Sequence, residues 1–343
     1  MLDIRQGSAI RDIVVIGGSA GAVNPLKFLL TQLPSDFAAA VFCIIHVPSH
    51  RESLLPEVLD WHAPLPIAWA WDRAPIEPGR VYLGPPDCHL VLTPHGTRLT
   101  NGPRENWARP AIDVLFRSAA VAFADKVTGI VLSGYLGDGA GGLAAIKQRG
   151  GITVVQDPAE AQADAMPRAA LLASKVDYCL PIREIAQRLP EIIRDPGGAV
   201  MPVPKDMEIE LDIAMGGPSG AERLRQIGEP ATFTCPECQG VLTEVRGAKP
   251  LRFRCQIGHA FTADSLLESQ DDRVDKAAKI ALRLVEEHVE LLARMARDAR
   301  HKGRHGAGRT FDERASEYRE AADVLRGALY EKEVEVPVES EAE

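Results

Sequence analysis

The stretch Asp12-Ile-Val-Val-Ile-Gly-Gly-Ser-Ala-Gly-Ala22 decides the fold of this chain. Its first part, Ile13 to Ile16, has the length and β-branched composition of a buried strand, and glycines and an amphipathic segment follow directly. Amphipathic segments also separate most of the similar apolar runs, which lie at residues 41–45, 129–132 and 152–155. This alternation predicts a doubly wound, mostly parallel α/β sheet over residues 1–195.

Composition and charge describe an ordinary globular protein. The 343 residues are 45% hydrophobic and 25% charged, a length that allows about two domains. The net charge is −9, but six glutamates and one lysine lie in residues 331–343, so the rest of the chain carries only −4. A body this close to neutral argues against a nucleic-acid-binding surface. We expect residues 331–343 to form a solvated acidic tail.

The sequence predicts neither membrane insertion nor export. No run approaches the ~18 consecutive apolar residues of a membrane span, and residues 1–11 lack the apolar core of a secretory signal. We therefore expect a cytoplasmic protein, in which the isolated Cys43, Cys88 and Cys179 are packing residues.

The other segments differ from one another in composition. Between residues 64 and 104, Pro-rich turns flank strand-like runs, and we predict an antiparallel insertion or a sheet extension. Residues 196–230 are rich in Pro and Gly and predict a linker, followed by a cysteine-containing module over residues 231–270. Residues 271–330 predict a helical hairpin or a dimerising coiled coil, because apolar side chains recur at steps of four and three. The two seams are Val274, Ala278, Ala281, Val285, His288, Leu292, Met295 and Ala299, and then Phe311, Ala315, Tyr318, Ala322, Leu325 and Leu329.

The glycine turn after the first strand has two interpretations. It could hold a dinucleotide pyrophosphate, or it could present Ser19 as a nucleophile on a sharp turn. A dinucleotide site needs an acidic residue at the tip of the second strand, where this chain has His46. An imidazole is instead a good proton acceptor for a serine hydroxyl. Until the third strand is considered, a helix-capping Ser19 beside a solvated His46 is an equal alternative.

The third strand supplies a carboxylate. Gly129 to Leu132 leads into a second glycine-rich turn, and Asp138 is the only acidic residue in it. A catalytic imidazole needs such a carboxylate to fix its tautomer and to stabilise its protonated form. Asp138 could equally be the N-cap of the helix that follows.

Five strings in this order resemble the catalytic domain of the chemotaxis protein-glutamate methylesterases, the CheB type. They are IGGSAGA, IIHVP, GPRENWARPAIDVLF, IVLSGYLGDGAGGL and AMPRAAL, and the similarity extends over about residues 11–194. The resemblance implies a doubly wound α/β fold with Ser19, His46 and Asp138 as the triad. It also implies hydrolysis of glutamate methyl esters on chemoreceptors and, in some members, glutamine deamidation, without a catalytic cofactor. Arg109 and Asp113 match a family motif near the site.

This sequence departs from the family pattern at several positions. Ala20 stands where the family usually has Thr, and Ile45 stands where it usually has Gln. The family turn LTGMGNDG appears here as Leu132-Ser-Gly-Tyr-Leu-Gly-Asp-Gly139. Because only about ten residues precede the first strand, we expect no N-terminal receiver domain and no control by phosphorylation in cis.

Three cysteines and a histidine have the spacing of a metal site. Cys235 and Cys238 form a C-x2-C pair, and Cys255 and His259 form a C-x3-H pair sixteen residues later. Zinc prefers four nitrogen or sulfur ligands, and two such turns provide them without a large core. We predict a structural zinc in a ribbon-like module, the alternative being thiols that are close by chance.

The sequence therefore favours a serine esterase acting on protein glutamate methyl esters. The alternative is a catalytically weak adaptor in a chemosensory-like pathway, acting through its zinc ribbon and helices, and dinucleotide binding ranks third. The expected partner is a methylated chemoreceptor or a related protein. We expect no nucleic acid, no membrane insertion, and a possible homodimer through the C-terminal helices.

Overall fold

The computed structural model describes residues 12–46, 53–60 and 62–330. The chain divides into two compact units, Met1–Leu266 and Leu267–Glu343, and each is described by itself. The predicted acidic tail at residues 331–343 lies outside the described residues.

The first unit contains a central sheet of seven parallel strands. The first nine strands of the chain are β1 Ile13–Gly18, β2 Ala40–Ile45, β3 Ile67–Trp69, β4 Val81–Leu83, β5 His89–Thr93, β6 Gly96–Thr100, β7 Val127–Val131, β8 Ile152–Gln156 and β9 Tyr178–Leu180. The order across the sheet is β3-β4-β2-β1-β7-β8-β9, which confirms the predicted mostly parallel sheet. The chain order reverses between β2-β1 and β7, and ligands bind at such a switch point in open α/β sheets.

Two helical layers cover the sheet because both faces of its strands are apolar. The helices are α1 Val23–Thr31, α2 Leu55–Asp60, α3 Ile112–Phe123, α4 Ala140–Gln148, α5 Ala165–Ala173 and α6 Ile182–Ile192. Val15 and alternate strand residues pack against α3, α4 and α5. Val14 and Ile16 point the other way, into a core shared with α1, α2 and α6.

The region between residues 64 and 104 contains both of the arrangements that we predicted as alternatives. Strands β3 and β4 extend the central sheet in parallel, whereas β5 and β6 form a separate antiparallel hairpin. The hairpin packs on α3, where the Leu92 N–H donates to Ser118 Oγ at 2.9 Å.

The predicted linker, residues 196–230, contains regular structure. Helices α7 Lys205–Ala214 and α8 Ala221–Leu224 lie there, and the buried Ile209 and Ile213 pack with Val245. An apolar pair at helical spacing outweighs the local Pro and Gly content.

The cysteine-containing segment forms a four-stranded antiparallel sheet within the first unit. Its strands are β10 Gly228–Thr234, β11 Val241–Val245, β12 Arg252–Cys255 and β13 Ala260–Thr262. We call residues 228–262 the cysteine module. It belongs to the same compact unit as the catalytic sheet rather than to a separate domain.

The second unit contains the predicted pair of C-terminal helices. Helix α9 spans Ala263–His301, and α10 spans His305–Tyr330. The rings of His288 and Tyr318 lie 4.5 Å apart, and an Arg326–Glu286 ion pair joins the same two helices, so they run antiparallel. The prediction was wrong for Val274 and Met295, which are 68% and 40% exposed. None of the described helices is long and apolar enough to cross a membrane.

Candidate active site

The ends of three adjacent parallel strands bring the predicted catalytic residues to one edge of the sheet. In the pairing of β1 with β2, Gly18 lies opposite Ile45, so Ser19 and His46 each follow the last paired residue of neighbouring strands. Strand β7 lies on the other side of β1, and the Ser19 N–H donates to the Ser133 carbonyl at 2.9 Å. The sheet thus gathers residues that are far apart in sequence.

Asp138 pairs directly with His46. The distance from the Asp138 carboxylate to His46 Nε2 is 2.9 Å, and the Asp138 side chain is 2% exposed. The carboxylate also accepts the Ile112 N–H at 2.7 Å and the Asp113 N–H at 3.1 Å, so it caps the first turn of α3. Burial alone raises the pKa of Asp138, but the bonds to His46 and to these N–H groups outweigh it and lower the pKa. Asp138 is therefore held as a carboxylate.

Ser19 occupies the glycine turn beside this pair. A side chain at Gly134 would put its Cβ 3.0 Å from Ser19 Cβ, so the turn after β7 approaches the nucleophile closely only because residue 134 is glycine. Within the described ranges the Ser19 hydroxyl makes no hydrogen bond. Since His46 Nε2 is engaged by Asp138, Nδ1 is the ring nitrogen left to accept a proton.

The turns around Ser19 are fixed by two residues that the sequence analysis did not single out. The Ser133 hydroxyl donates to the Ala20 carbonyl at 2.8 Å, and the Ser133 N–H donates to Gln156 Oε1 at 3.0 Å. These bonds tie the turn after β1 to the turn after β7 and to the end of β8. Ser133 lies in a turn and Gln156 at the end of β8, and no spacing in the sequence distinguishes either residue.

Several backbone N–H groups near Ser19 are already used. Ser19 N–H bonds Ser133, and Gly134 N–H donates to the Ala163 carbonyl at 2.9 Å. Within the described part of the chain, the N–H groups of Ala20, Tyr135 and Leu136 donate no hydrogen bond. These three are the candidates for stabilising an oxyanion.

Asp113 accepts hydrogen bonds from a different helix than Asp138 does. Its Oδ1 accepts the N–H groups of Gly139 and Gly142, at 3.0 and 2.6 Å, and so caps α4. Burial, and then the charge of Asp138, raise the pKa of Asp113 to about 7. The capping role at α4, which was the alternative interpretation of Asp138, thus belongs to Asp113.

Asn106 and Trp107 form a part of the site to which the sequence analysis assigned no role, although both lie in the string GPRENWARPAIDVLF. Asn106 Nδ2 donates to Asp113 at 3.3 Å and to Asp138 Oδ1 at 3.4 Å, and Asn106 Oδ1 accepts the Thr262 N–H at 2.8 Å. Both residues have left-handed backbones, with φ of 50° and 65°. Asn tolerates this conformation better than most residues, which is a further local signal.

Two other candidate positions are structural. Arg109 donates to Asp87 at 2.8 Å and to the carbonyl of Gly102, so its guanidinium is engaged away from the triad. His89 of β5 is fully buried. Its Nε2–H donates to the Pro103 carbonyl and its Nδ1 accepts the Ala111 N–H, which joins the hairpin to the start of α3.

The cysteine module brings its four predicted metal ligands together. Their ligand atoms all lie within 4.8 Å of one another. The Cys238 and Cys255 sulfurs are 3.5 Å apart, and His259 Nδ1 lies 3.6 Å from Cys235 Sγ and 3.5 Å from Cys255 Sγ. A tetrahedral zinc with its usual bond lengths has ligand–ligand edges of roughly 3.5–3.8 Å. The sulfurs are too far apart for a disulfide.

A carboxylate orients the histidine of this cluster. His259 Nε2 lies 3.0 Å from Glu237 Oε2. A carboxylate at this nitrogen favours the tautomer whose Nδ1 lone pair points to the sulfurs, and metal-bound histidines usually have such a partner. The donor set therefore fits a structural zinc.

Residues 14–189 match the family model described as CheB methylesterase. The chain belongs to the CheB methylesterase family. The matched residues include the strand ends that carry Ser19, His46 and Asp138, whereas the cysteine module and the C-terminal helices lie beyond them.

Individual CheB relatives agree with this assignment. A Leptospira interrogans protein-glutamate methylesterase/protein-glutamine glutaminase homologue is 38% identical over 177 residues, which are 51% of this chain and 92% of the relative. Protein-glutamate methylesterase/protein-glutamine glutaminase 3 of Pseudomonas aeruginosa is 36% identical over 189 residues, 55% of this chain and 56% of the relative. The chain thus spans about half the length of the Pseudomonas protein.

A solved CheB structure shares the fold. The crystal structure of the Thermotoga maritima CheB methylesterase catalytic domain has a TM-score of 0.51 and 30% sequence identity with this chain. The match covers 53% of this chain and 98% of the Thermotoga domain. The central sheet of this chain is therefore a CheB catalytic domain to which further segments are attached.

Proposed function

We propose that this protein is a serine esterase that hydrolyses glutamate methyl esters on proteins, with chemoreceptors or related signalling proteins as substrates. The observation that carries the proposal is the pair of buried Asp138 and partly exposed His46 beside Ser19, at the switch point of a CheB sheet. Homologues that bear the methylesterase name support the same activity. Their names also include glutaminase, so glutamine side chains form a second substrate class to be tested.

In the first half of the reaction, Ser19 Oγ attacks the carbonyl carbon of the methyl ester. His46 takes the hydroxyl proton at Nδ1, and Asp138 stabilises the imidazolium through Nε2. The negative charge moves to the carbonyl oxygen, where free N–H groups of the two glycine turns stabilise it. Collapse of the tetrahedral intermediate breaks the bond to the methoxy oxygen, which takes the proton from His46 and leaves as methanol.

In the second half, water replaces the alcohol. His46 removes a proton from water, the hydroxide attacks the acyl-enzyme carbonyl, and the proton returns to Ser19 Oγ as the ester bond breaks. The products are a glutamate side chain and free Ser19. With a glutamine substrate the same steps release ammonia in place of methanol.

A comparison of serine variants tests the nucleophile. The wild type, Ser19→Ala and the control Ser174→Ala are treated with a fluorophosphonate probe and with a peptide containing a glutamate γ-methyl ester. We expect labelling and methanol release in the wild type and the control, and neither in Ser19→Ala. Circular dichroism shows whether each variant is folded.

Two results contradict the proposal in different ways. Unchanged methanol release by folded Ser19→Ala removes Ser19 as the nucleophile. A folded wild type that neither binds the fluorophosphonate nor releases methanol supports the adaptor alternative instead. An aspartate β-methyl ester peptide serves as the matched substrate, and equal turnover of both peptides contradicts a preference for glutamate.

We further propose that Cys235, Cys238, Cys255 and His259 bind one structural zinc. The short distances among the four ligand atoms and the Glu237 contact support this. Mass spectrometry of the purified full chain under reducing conditions should find one zinc per chain, which Cys238→Ser loses and the control Cys179→Ser keeps. Absence of stoichiometric zinc from the wild type contradicts the proposal.

A further inference from the structure

The cysteine module lies directly against the loop that carries Asn106. We call residues 104–108 the active-site loop. The Ala260 N–H donates to the Arg104 carbonyl at 3.2 Å, and the Asn106 N–H donates to the Ala260 carbonyl at 2.8 Å. Strand β13 therefore pairs with the loop through its backbone, in addition to the bond from Thr262 to the Asn106 side chain.

The conformation of the loop depends on these contacts. Asn106 and Trp107 are both left-handed, a backbone state that costs free energy and persists where neighbouring structure holds it. The Trp107 ring packs against Phe261 of β13, with ring centroids 5.2 Å apart. The cysteine module supplies the packing and the hydrogen bonds that hold both residues.

A buried set of charges fixes the other side of the loop. The Glu105 carboxylate accepts hydrogen bonds from Arg117 of α3 at 2.6 Å and from Arg254 of β12 at 2.7 Å. The Glu210 carboxylate of α7 forms ion pairs with both of these arginines, and also with Arg252 at 2.9 Å. Glu105, Arg117, Arg254 and Glu210 are at most 3% exposed, so each charge depends on its partners and the module is locked to the catalytic sheet.

The proposed metal ligands lie next to this contact. His259 directly precedes Ala260, and the Cys255 N–H donates to the His259 carbonyl at 2.9 Å. Arg254, beside Cys255, also donates to the Gly258 carbonyl at 2.7 Å. Holding Cys255 and His259 on one ion therefore fixes the turn from which β13 starts.

We propose that the cysteine module is a working part of the esterase site, in which β13 holds Asn106 and Asn106 positions Asp138 toward His46. The inference rests on the proposed esterase activity and metal site. It assigns Asn106 as a positioning residue, because its amide contacts Asp138 rather than a reacting atom. The same amide also donates to Asp113 at 3.3 Å, so Asn106 lies between the two buried carboxylates and holds them apart.

The first arm of the experiment measures kcat and KM with the glutamate methyl ester peptide. Asn106→Ala should lower kcat by about tenfold, which is the effect of losing one hydrogen bond to a charged group, and should leave KM within about twofold. The control Arg246→Ala changes the same module at an exposed ion pair with Glu229 and should match the wild type. Unchanged kcat in folded Asn106→Ala overturns the proposal.

The second arm removes the metal with a chelator from the wild type and from Asn106→Ala. If β13 acts through Asn106, metal removal lowers kcat about tenfold in the wild type and less than twofold in Asn106→Ala, since coupled changes are not additive. Equal losses in both proteins, or no loss in the wild type, overturn the proposal.

Hydrogen exchange provides a readout that does not depend on turnover. Metal removal should speed exchange of the Asn106 amide, which bonds Ala260, while the amides of β1 and β7 stay protected. If the wild type has no esterase activity, the proposed function fails, and this measurement alone decides whether the module holds the loop. Unchanged exchange at Asn106, or loss of protection throughout the sheet, contradicts a local role.

Discussion

Asp113 and Asp138 are two buried aspartates in similar positions with opposite electrostatics. Each accepts backbone N–H groups at the start of a helix, Asp138 at α3 and Asp113 at α4. Asp138 therefore caps α3, the helix that contains Asp113. Asp113 caps α4, the helix that follows Asp138. Nevertheless the pKa of Asp138 is lowered and the pKa of Asp113 is raised to about 7.

The imidazole of His46 explains the difference. Asp138 has His46 within 2.9 Å, and the hydrogen bond and the charge of His46 both lower its pKa against the effect of burial. At Asp113, burial and the charge of Asp138 both raise the pKa, and the positive charges of Arg117 and Arg252 only partly offset this rise. A helix N-terminus thus accommodates either carboxylate, and the neighbouring side chain decides which of them takes part in catalysis.

The largest expected effect comes from replacing Asp138 with asparagine, which removes the negative charge beside His46. Asp138→Asn keeps an oxygen for the Ile112 N–H but removes the charge that stabilises protonated His46, so kcat should fall by roughly 10³- to 10⁴-fold. The measurement is methanol release by the folded variant. Asp113→Asn is the matched control, and an equally large loss in that variant contradicts the separation of roles.

The dependence of stability on pH should distinguish the same two groups. Because the pKa of Asp113 is higher in the folded state than its ordinary value of 3.8, its contribution to stability is complete below about pH 4 and is lost as the pH rises through 7. Between pH 4 and 8 this loss should amount to roughly 2–4 kcal/mol in the free energy of unfolding. Asp113→Asn should remove that loss.

Urea denaturation at pH 4.5 and pH 8 measures the change. The difference between the wild type and Asp113→Asn should be small at pH 4.5, where Asp113 is protonated and resembles Asn. The variant should be the more stable of the two at pH 8. A wild type that is equally stable at both pH values is inconsistent with a raised pKa at Asp113.

The smallest effect is expected for an exposed carboxylate at a helix start. Asp164 precedes α5 and pairs with Arg168 on the surface. Water screens this pair, so Asp164→Ala should leave both the unfolding midpoint and kcat unchanged within error. A clear loss of stability in Asp164→Ala would contradict the view that burial makes Asp113 and Asp138 more important for stability than exposed carboxylates at helix starts.

Much of the catalytic site could be predicted because an apolar run followed by a glycine-rich turn shows where a buried strand ends. The run Ile13 to Ile16 with its glycine turn indicated a strand followed by Ser19, and the tips of the next strands gave His46 and Asp138. The role of Asn106 could not be predicted, because its side chain bonds two aspartates from other segments and also Thr262, which is 156 residues away.

The C-terminal half shows the same limit. Apolar spacing predicted the two helices, but Leu282 and Ala296, outside the predicted seam, are buried, whereas Val274 and Met295 of that seam are exposed. The Pro- and Gly-rich composition of residues 196–230 suggested a linker, whereas burial of Ile209 and Ile213 makes part of it a helix.

The sequence by itself determined the strand and helix alternation, the three triad candidates and the four-ligand spacing, since each depends on residue types at short range. Only the tertiary structure decided which carboxylate faces His46, which N–H groups remain free near Ser19, and that the cysteine module lies against Asn106. The physical reason is that burial and hydrogen-bond partners set the charge and direction of these groups. Those partners come from segments that meet only when the chain has folded.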